Sequence, residues 1–138
     1  MKRREPISHI MTKNVATVSI TDDLRDVIDL VHKKHIRHIP VVEGNEVVGM
    51  ISRTDLNRLT FSSLFENQDG ADEAVLEMLS IKQVMTQKPR VVDASQTIRE
   101  VAEVLAAEEY HALPVVEGKT LVGIVTTTDI IKYLLEQY

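Results

Sequence analysis

Cysteine is absent from the 138 residues, which excludes disulfides, zinc-thiolate sites and a thiol nucleophile. A reducing interior, taken here as the cytoplasm, is the expected setting. Aromatic residues make up only 4%, and the formal charge is -5 with a pI near 5.5. That balance opposes a broad phosphate-backbone footprint and leaves few rings for base stacking, so nucleic acid is not an expected partner. Downstream of Met1-Lys2-Arg3-Arg4-Glu5-Pro6 no apolar run is long enough for a signal peptide or a spanning helix, so membrane insertion is not expected either. Glycine and proline are few, at five and four. What remains is 43% hydrophobic and 27% charged, the composition of a globular chain with room for one domain or two half-domains sharing a core.

The chain repeats itself. Ile39-Pro40-Val41-Val42-Glu43-Gly44 is answered by Leu113-Pro114-Val115-Val116-Glu117-Gly118, and residue n of the first copy matches residue n + 74 of the second, as Pro40 and Pro114 do. Without a gap, the same offset pairs Met11-Thr12 with Met85-Thr86, Val18 with Val92, Gly49 with Gly123 and Thr54-Asp55 with Thr128-Asp129. Such a register marks a duplicated supersecondary unit. The copies are taken as 1–62 and 81–138, with 63–80, which contains Glu66-Asn67-Gln68-Asp69-Gly70, as the linker.

Leu24, Val27, Ile28 and Val31 share one helical face behind an N-cap at Asp23, and Ile98, Val101, Ala102 and Leu105 repeat that face behind the capping box of Thr97 and Glu100. Short β-prone segments precede these helices, Val15 to Val18 and Arg90 to Val92. Two more strands follow in the first copy, Ile39 to Val42 and Val47 to Ile51, joined by Glu43-Gly44-Asn45-Glu46 as in a hairpin. A second helix begins near Thr54-Asp55 and near Thr128-Asp129. Each copy therefore reads β-α-β-β-α, an α/β (α+β) unit. About 55 residues bury too little surface to be stable alone, so the two units are expected to pack together through their sheets. Gly44, Gly49, Gly118 and Gly123 fall where turns or close backbone approaches are wanted.

The Met-Thr opening each copy, the apolar-Pro-Val strand, and the segments Gly49-Met50-Ile51-Ser52-Arg53-Thr54-Asp55 and Gly123-Ile124-Val125-Thr126-Thr127-Thr128-Asp129 resemble the cystathionine β-synthase (CBS) domain pair, or Bateman module. The resemblance implies two pseudo-symmetric units and clefts between them that hold adenine-containing ligands: AMP, ADP, ATP, S-adenosylmethionine or a dinucleotide. It also implies a flat homodimer that regulates a partner protein.

By that resemblance Asp129 and Asp55 accept hydrogen bonds from ribose hydroxyls, the logic by which an acidic residue reads ribose in dinucleotide folds. Thr126 and Ser52, three residues earlier, help to hold sugar or phosphate. The plain alternative is that each pair only caps a helix. Lys33-Lys34-His35-Ile36-Arg37-His38 is the most basic stretch, and a solvated helix end explains it without a ligand. The resemblance instead assigns Arg37 and His38 to the phosphates of a ligand whose ribose sits on Asp129. The matching residues are His111 and Ala112, preceded by Glu108 and Glu109, so the Asp55 site is expected to be the weaker one. Thr17 is taken as a further hydroxyl for the main site, and Val18 and Ile124 as walls of an adenine slot, against ordinary strand and core duty. His32, His35 and His38 have metal-like spacing but no supporting carboxylate, so no metal is expected. Met11 and Met85 are taken as packing residues.

No nucleophile with a base, no paired carboxylates and no metal set stand out, so the chain is expected not to be an enzyme. The reading is a ligand-sensing regulatory module. The competing reading is a structural dimerisation module with empty clefts.

Overall fold

Helix α1 (Leu24–Lys34) starts where the Asp23 carboxylate accepts from the Arg25 N–H at 3.3 Å, and it buries Leu24, Val27 and Val31. It stops at His35, which turns left-handed at φ 52°. Its counterpart α4 (Ile98–Ala107) starts at the expected capping box: Thr97 Oγ1 accepts from the Glu100 N–H at 3.1 Å, and Glu100 Oε1 accepts from the Thr97 N–H at 3.0 Å. The inner face of α4 is Ile98, Val101 and Leu105. Burying each such side chain contributes roughly 1.5–3 kcal/mol, so the packed stripe, more than helix propensity, holds both helices.

The computed structural model describes residues 4–66 and 78–138. Strands β2 (His38–Glu43) and β3 (Glu46–Ser52), and β6 (Ala112–Glu117) and β7 (Thr120–Thr126), form hairpins one residue longer at each end than the apolar runs suggested. Gly44 and Gly118 supply their positive φ, +65° and +63°. Helices α2 (Arg53–Glu66) and α5 (Thr127–Glu136) follow directly.

The first strand of each copy is shorter than expected and shifted towards the C-terminus: β1 is Val18–Ser19 and β5 is Val92–Asp93. A side-chain turn follows each. The Ser19 N–H donates to Asp22 Oδ2 at 2.8 Å, and the Asp93 N–H to Gln96 Oε1 at 2.8 Å. These local bonds satisfy the Ser19 and Asp93 N–H groups, while the next residues still bond to the neighbouring strand, the Ile20 N–H to the Val42 carbonyl at 3.0 Å and the Ala94 N–H to the Val116 carbonyl at 2.9 Å. Thr17, placed in the first strand by its β-propensity, lies just before it, exposed. Most of the expected linker, 67–77, lies outside the described residues.

The chain forms two compact units, and their boundaries do not follow the copies. One comprises Met1–Val15, Asn45–Val47 and Pro89–Tyr138; the other Ala16–Gly44 and Val48–Lys88. In the first-copy unit β1 runs parallel to β2, with Val18 opposite Val41. There β3 is antiparallel to the short β4 (Thr86–Gln87), which follows helix α3 (Ile81–Val84). In the second-copy unit β5 runs parallel to β6, with Val92 opposite Val115, and β6 is antiparallel to β7. The leading segments are exchanged. Ile81 and Met85, which open the second copy, lie in the core of the first with Leu24, Val27, Ile39, Val41 and Ile51. Ile7, which opens the first copy, is fully buried in the core of the second with Ile98, Val101, Leu113, Val115 and Val125.

Candidate functional site

At the end of β7 the chain turns into α5 through a closed capping box. Thr126 Oγ1 accepts from the Asp129 N–H at 3.2 Å, and Asp129 Oδ2 accepts from the Thr126 N–H at 2.9 Å and from the Thr126 hydroxyl at 3.1 Å. The first copy makes the same corner from β3 into α2: Ser52 Oγ accepts from the Asp55 N–H at 3.1 Å, and Asp55 Oδ2 from the Ser52 N–H at 3.0 Å. Capping is therefore a role that both aspartates fill. It consumes one carboxylate oxygen. Oδ1 of Asp129 meets no donor among the described residues, and the side chain is half-buried, so it keeps the acceptor capacity that a sugar diol needs.

At each helix start a backbone carbonyl takes one further donor. The Thr127 N–H donates to the His111 carbonyl at 3.1 Å, and the Arg53 N–H to the Arg37 carbonyl at 2.7 Å. Within one unit, then, the fold joins Arg37 to the Ser52–Asp55 corner and His111 to the Thr126–Asp129 corner. Sequence reasoning missed this because a main-chain acceptor leaves no mark in residue type. The Thr128 N–H meets no acceptor among the described residues, so a first-turn donor, where the helix dipole favours anions, is open beside Asp129.

The remaining candidates divide. Val18, 5% exposed, is part of the first-copy core, so its side chain is committed to packing. Ile124 is 8% exposed yet belongs to neither core cluster, and the same holds for Met50 at the matching position. Arg37 is exposed, and His38, half-buried, begins β2.

Charge differs at matching helix ends: Lys33, Lys34 and His35 are exposed in the first copy, against Ala107, Glu108 and Glu109 in the second. Glu108 is partly neutralised by Arg90 at 3.5 Å, an exposed pair of small energetic weight that softens the expected repulsion of anions. Among the described residues no three metal-ligating side chains gather, around the histidines or elsewhere. A shallow groove of about 320 Å³ over α4, lined by Glu100, Glu103 and Glu108 among others, contains none of the candidate residues, and its carboxylates disfavour phosphate. No helix among the described residues is long and apolar enough to cross a membrane.

Residues 7–61 and 81–136 each match the family model described as CBS domain. An uncharacterised protein of Methanocaldococcus jannaschii is 32% identical over 135 residues, which cover 94% of this chain and 32% of that protein. The chain spans less than half the length of this and two further relatives from the same organism, at 32%, 47% and 44%. Among solved structures, CBSX2 of Arabidopsis thaliana in complex with AMP superimposes with a TM-score of 0.78 at 24% identity, covering 96% of this chain and 98% of that one. The CBS domain pair of protein MJ0100, in complex with 5′-methylthioadenosine and S-adenosyl-L-methionine, gives 0.78 at 20% identity, covering 96% and 98%. At these identities the likeness shows the fold.

Proposed function

The chain belongs to the CBS domain family, with one domain over residues 7–61 and another over 81–136, and on that premise we propose that it is a non-catalytic regulatory module that binds an adenosine-containing ligand. The observation that carries the proposal is the twice-built corner in which a strand-end hydroxyl and a carboxylate three residues on share a helix start, with one oxygen of Asp129 left open. A ribose diol supplies two donors to that carboxylate, and an α-phosphate of the same ligand suits the open Thr128 N–H. Arg37 and His38 are the residues to which the resemblance gives a phosphate-binding role, and Ile124 one to which it gives an adenine-facing role. The ligand class is AMP, ADP, ATP or S-adenosylmethionine. AMP bound by one structural relative, and methylthioadenosine and S-adenosylmethionine bound by another, support this class. Ser52 and Asp55 form the second corner, which the resemblance makes the weaker one.

One observation favours the structural reading instead. Both corners are already closed as caps, and α5 exposes Ile131 at 56% and Leu135 at 68%, an apolar face suited to self-association. A thermal-shift series with AMP, ADP, ATP and S-adenosylmethionine separates the two. A ligand at a hundred times its dissociation constant adds about 2.7 kcal/mol to stability. A rise in midpoint with at least one of the four supports the sensor; no rise with any of them supports the structural module.

A further inference from the structure

The two leading segments, Ile7-Ser8-His9-Ile10-Met11-Thr12 and Ile81-Lys82-Gln83-Val84-Met85-Thr86, share the first Ile, the Met and the Thr, but their polar attachments differ. In the second-copy unit the segment 5–12 grips both sides of the Thr126–Asp129 corner. On the strand side, the Thr12 N–H donates to the Ile124 carbonyl at 2.8 Å and the Ile124 N–H to the Thr12 carbonyl at 3.0 Å, two residues before Thr126. Beside that pair Met11 lies over Gly123, where a built Cβ would fall 2.5 Å from its sulfur. On the helix side, the Tyr133 hydroxyl donates to Glu5 Oε1 at 3.4 Å. Tyr133 is buried one turn after Asp129 on the same helix. Further bonds pin the segment's start: the Ile98 N–H donates to the Glu5 carbonyl at 2.8 Å and the Ile7 N–H to the Gln96 carbonyl at 2.7 Å. In the first copy the positions matching Glu5 and Tyr133 are Leu79 and Leu59, so that polar link has no counterpart.

We propose that residues 5–12 are a regulatory strap whose attachment to the second copy and ligand occupancy of the Thr126–Asp129 corner stabilise one another. The inference rests on the nucleotide-binding reading. A ligand on Asp129 orders the end of β7 and the first turns of α5, which are the two surfaces the strap holds. A detached strap leaves both freer and must be re-ordered on binding. Thermodynamic linkage makes the effect reciprocal. The strap continues through Lys13–Val15 to Ala16, where the other compact unit begins.

The test uses the full chain with AMP as probe. Amide exchange is followed by NMR at Thr12 and Ile124, and at Thr86 and Met50 as the matching pair in the first copy, while calorimetry records AMP binding in parallel. The expected result is that saturating AMP slows exchange at Thr12 and Ile124 at least about fivefold more than at Thr86 and Met50. Met11→Ala is expected to weaken AMP binding by about fivefold or more, a usual size for coupling between sites, and Met11→Leu to restore it. AMP binding with unchanged protection at Thr12 and Ile124, or with equal slowing at all four amides, overturns the strap while leaving the nucleotide reading intact. No AMP binding by the parent chain overturns both.

Discussion

Adding one methyl group to either of two glycines should give different results in the two copies. The three atoms nearest a Cβ built on Gly49 all belong to the Met85 side chain, its sulfur, Cγ and Cβ. A Cβ built on Gly123 meets Met11 Sδ at 2.5 Å and Cγ at 3.0 Å, and also the Thr12 carbonyl oxygen at 3.0 Å. That oxygen is fixed by its bond from the Ile124 N–H. Each Gly→Ala change overpacks a close contact, which typically costs about 1–3 kcal/mol. In a chain of this size that lowers the melting midpoint by roughly 3–5 °C per kcal/mol. The distinction lies in the rescue. Met85→Ala removes most of the clash at Gly49, so the Gly49→Ala/Met85→Ala double variant should be more stable than the sum of the singles by at least about 1 kcal/mol. Met11→Ala leaves the Thr12 carbonyl in place, so the corresponding coupling at Gly123 should be clearly smaller. Urea unfolding of the six variants, with the slope m checked for constancy, measures both cycles. Equal coupling in the two cycles would refute the reasoning, because it would mean that the strap backbone yields as readily as a methionine side chain.

Three further outcomes follow from the same contacts. A fragment ending at Asn67 should show no cooperative unfolding transition, since it lacks Ile81 and Met85 and leaves Ile7 without its core; a sharp monomeric transition would contradict the exchange. The full chain should sediment as a dimer of the 15.6 kDa protomer, and Ile131→Asp with Leu135→Asp should disperse it; a monomer of the parent at all concentrations would remove that expectation. The Thr97 backbone N–H, and then its hydroxyl, hold the Glu100 carboxyl below its ordinary pKa. Its stabilising effect is therefore present above the unfolded-state value and lost as pH falls through the lowered folded-state value, and Glu100→Gln should flatten that acid-side loss in a pH series of melting midpoints.

The helices, hairpins and duplicated core were legible in the sequence because each depends on local periodicity and capping. Asp23, Thr97 and Glu100 occupy their expected cap positions. The Thr126–Asp129 and Ser52–Asp55 corners were legible for the same reason. The exchange of leading segments was not. Ile7-to-Thr12 and Ile81-to-Thr86 carry the same apolar pattern, so local sequence fits either segment to either copy, and only the path of the chain decides. Thr17 was placed inside a strand that begins only at Val18, because β-propensity does not report which residues find a ladder partner. The link from Arg37 to the Ser52–Asp55 corner runs through a carbonyl, which residue identity does not encode.

The central claim is that Asp129 anchors an adenosine-type ligand, and titration calorimetry of AMP against the parent, Asp129→Asn and Asp55→Asn tests it most directly. Asparagine keeps an acceptor for the Thr126 N–H and removes the charge that the ribose hydroxyls need. Hydrogen bonds to a charged group contribute roughly 1.5–3 kcal/mol, so Asp129→Asn should weaken binding by about tenfold or more while Asp55→Asn leaves the tight site nearly unchanged. Equal losses from the two substitutions, or AMP binding indifferent to Asp129, would contradict the account.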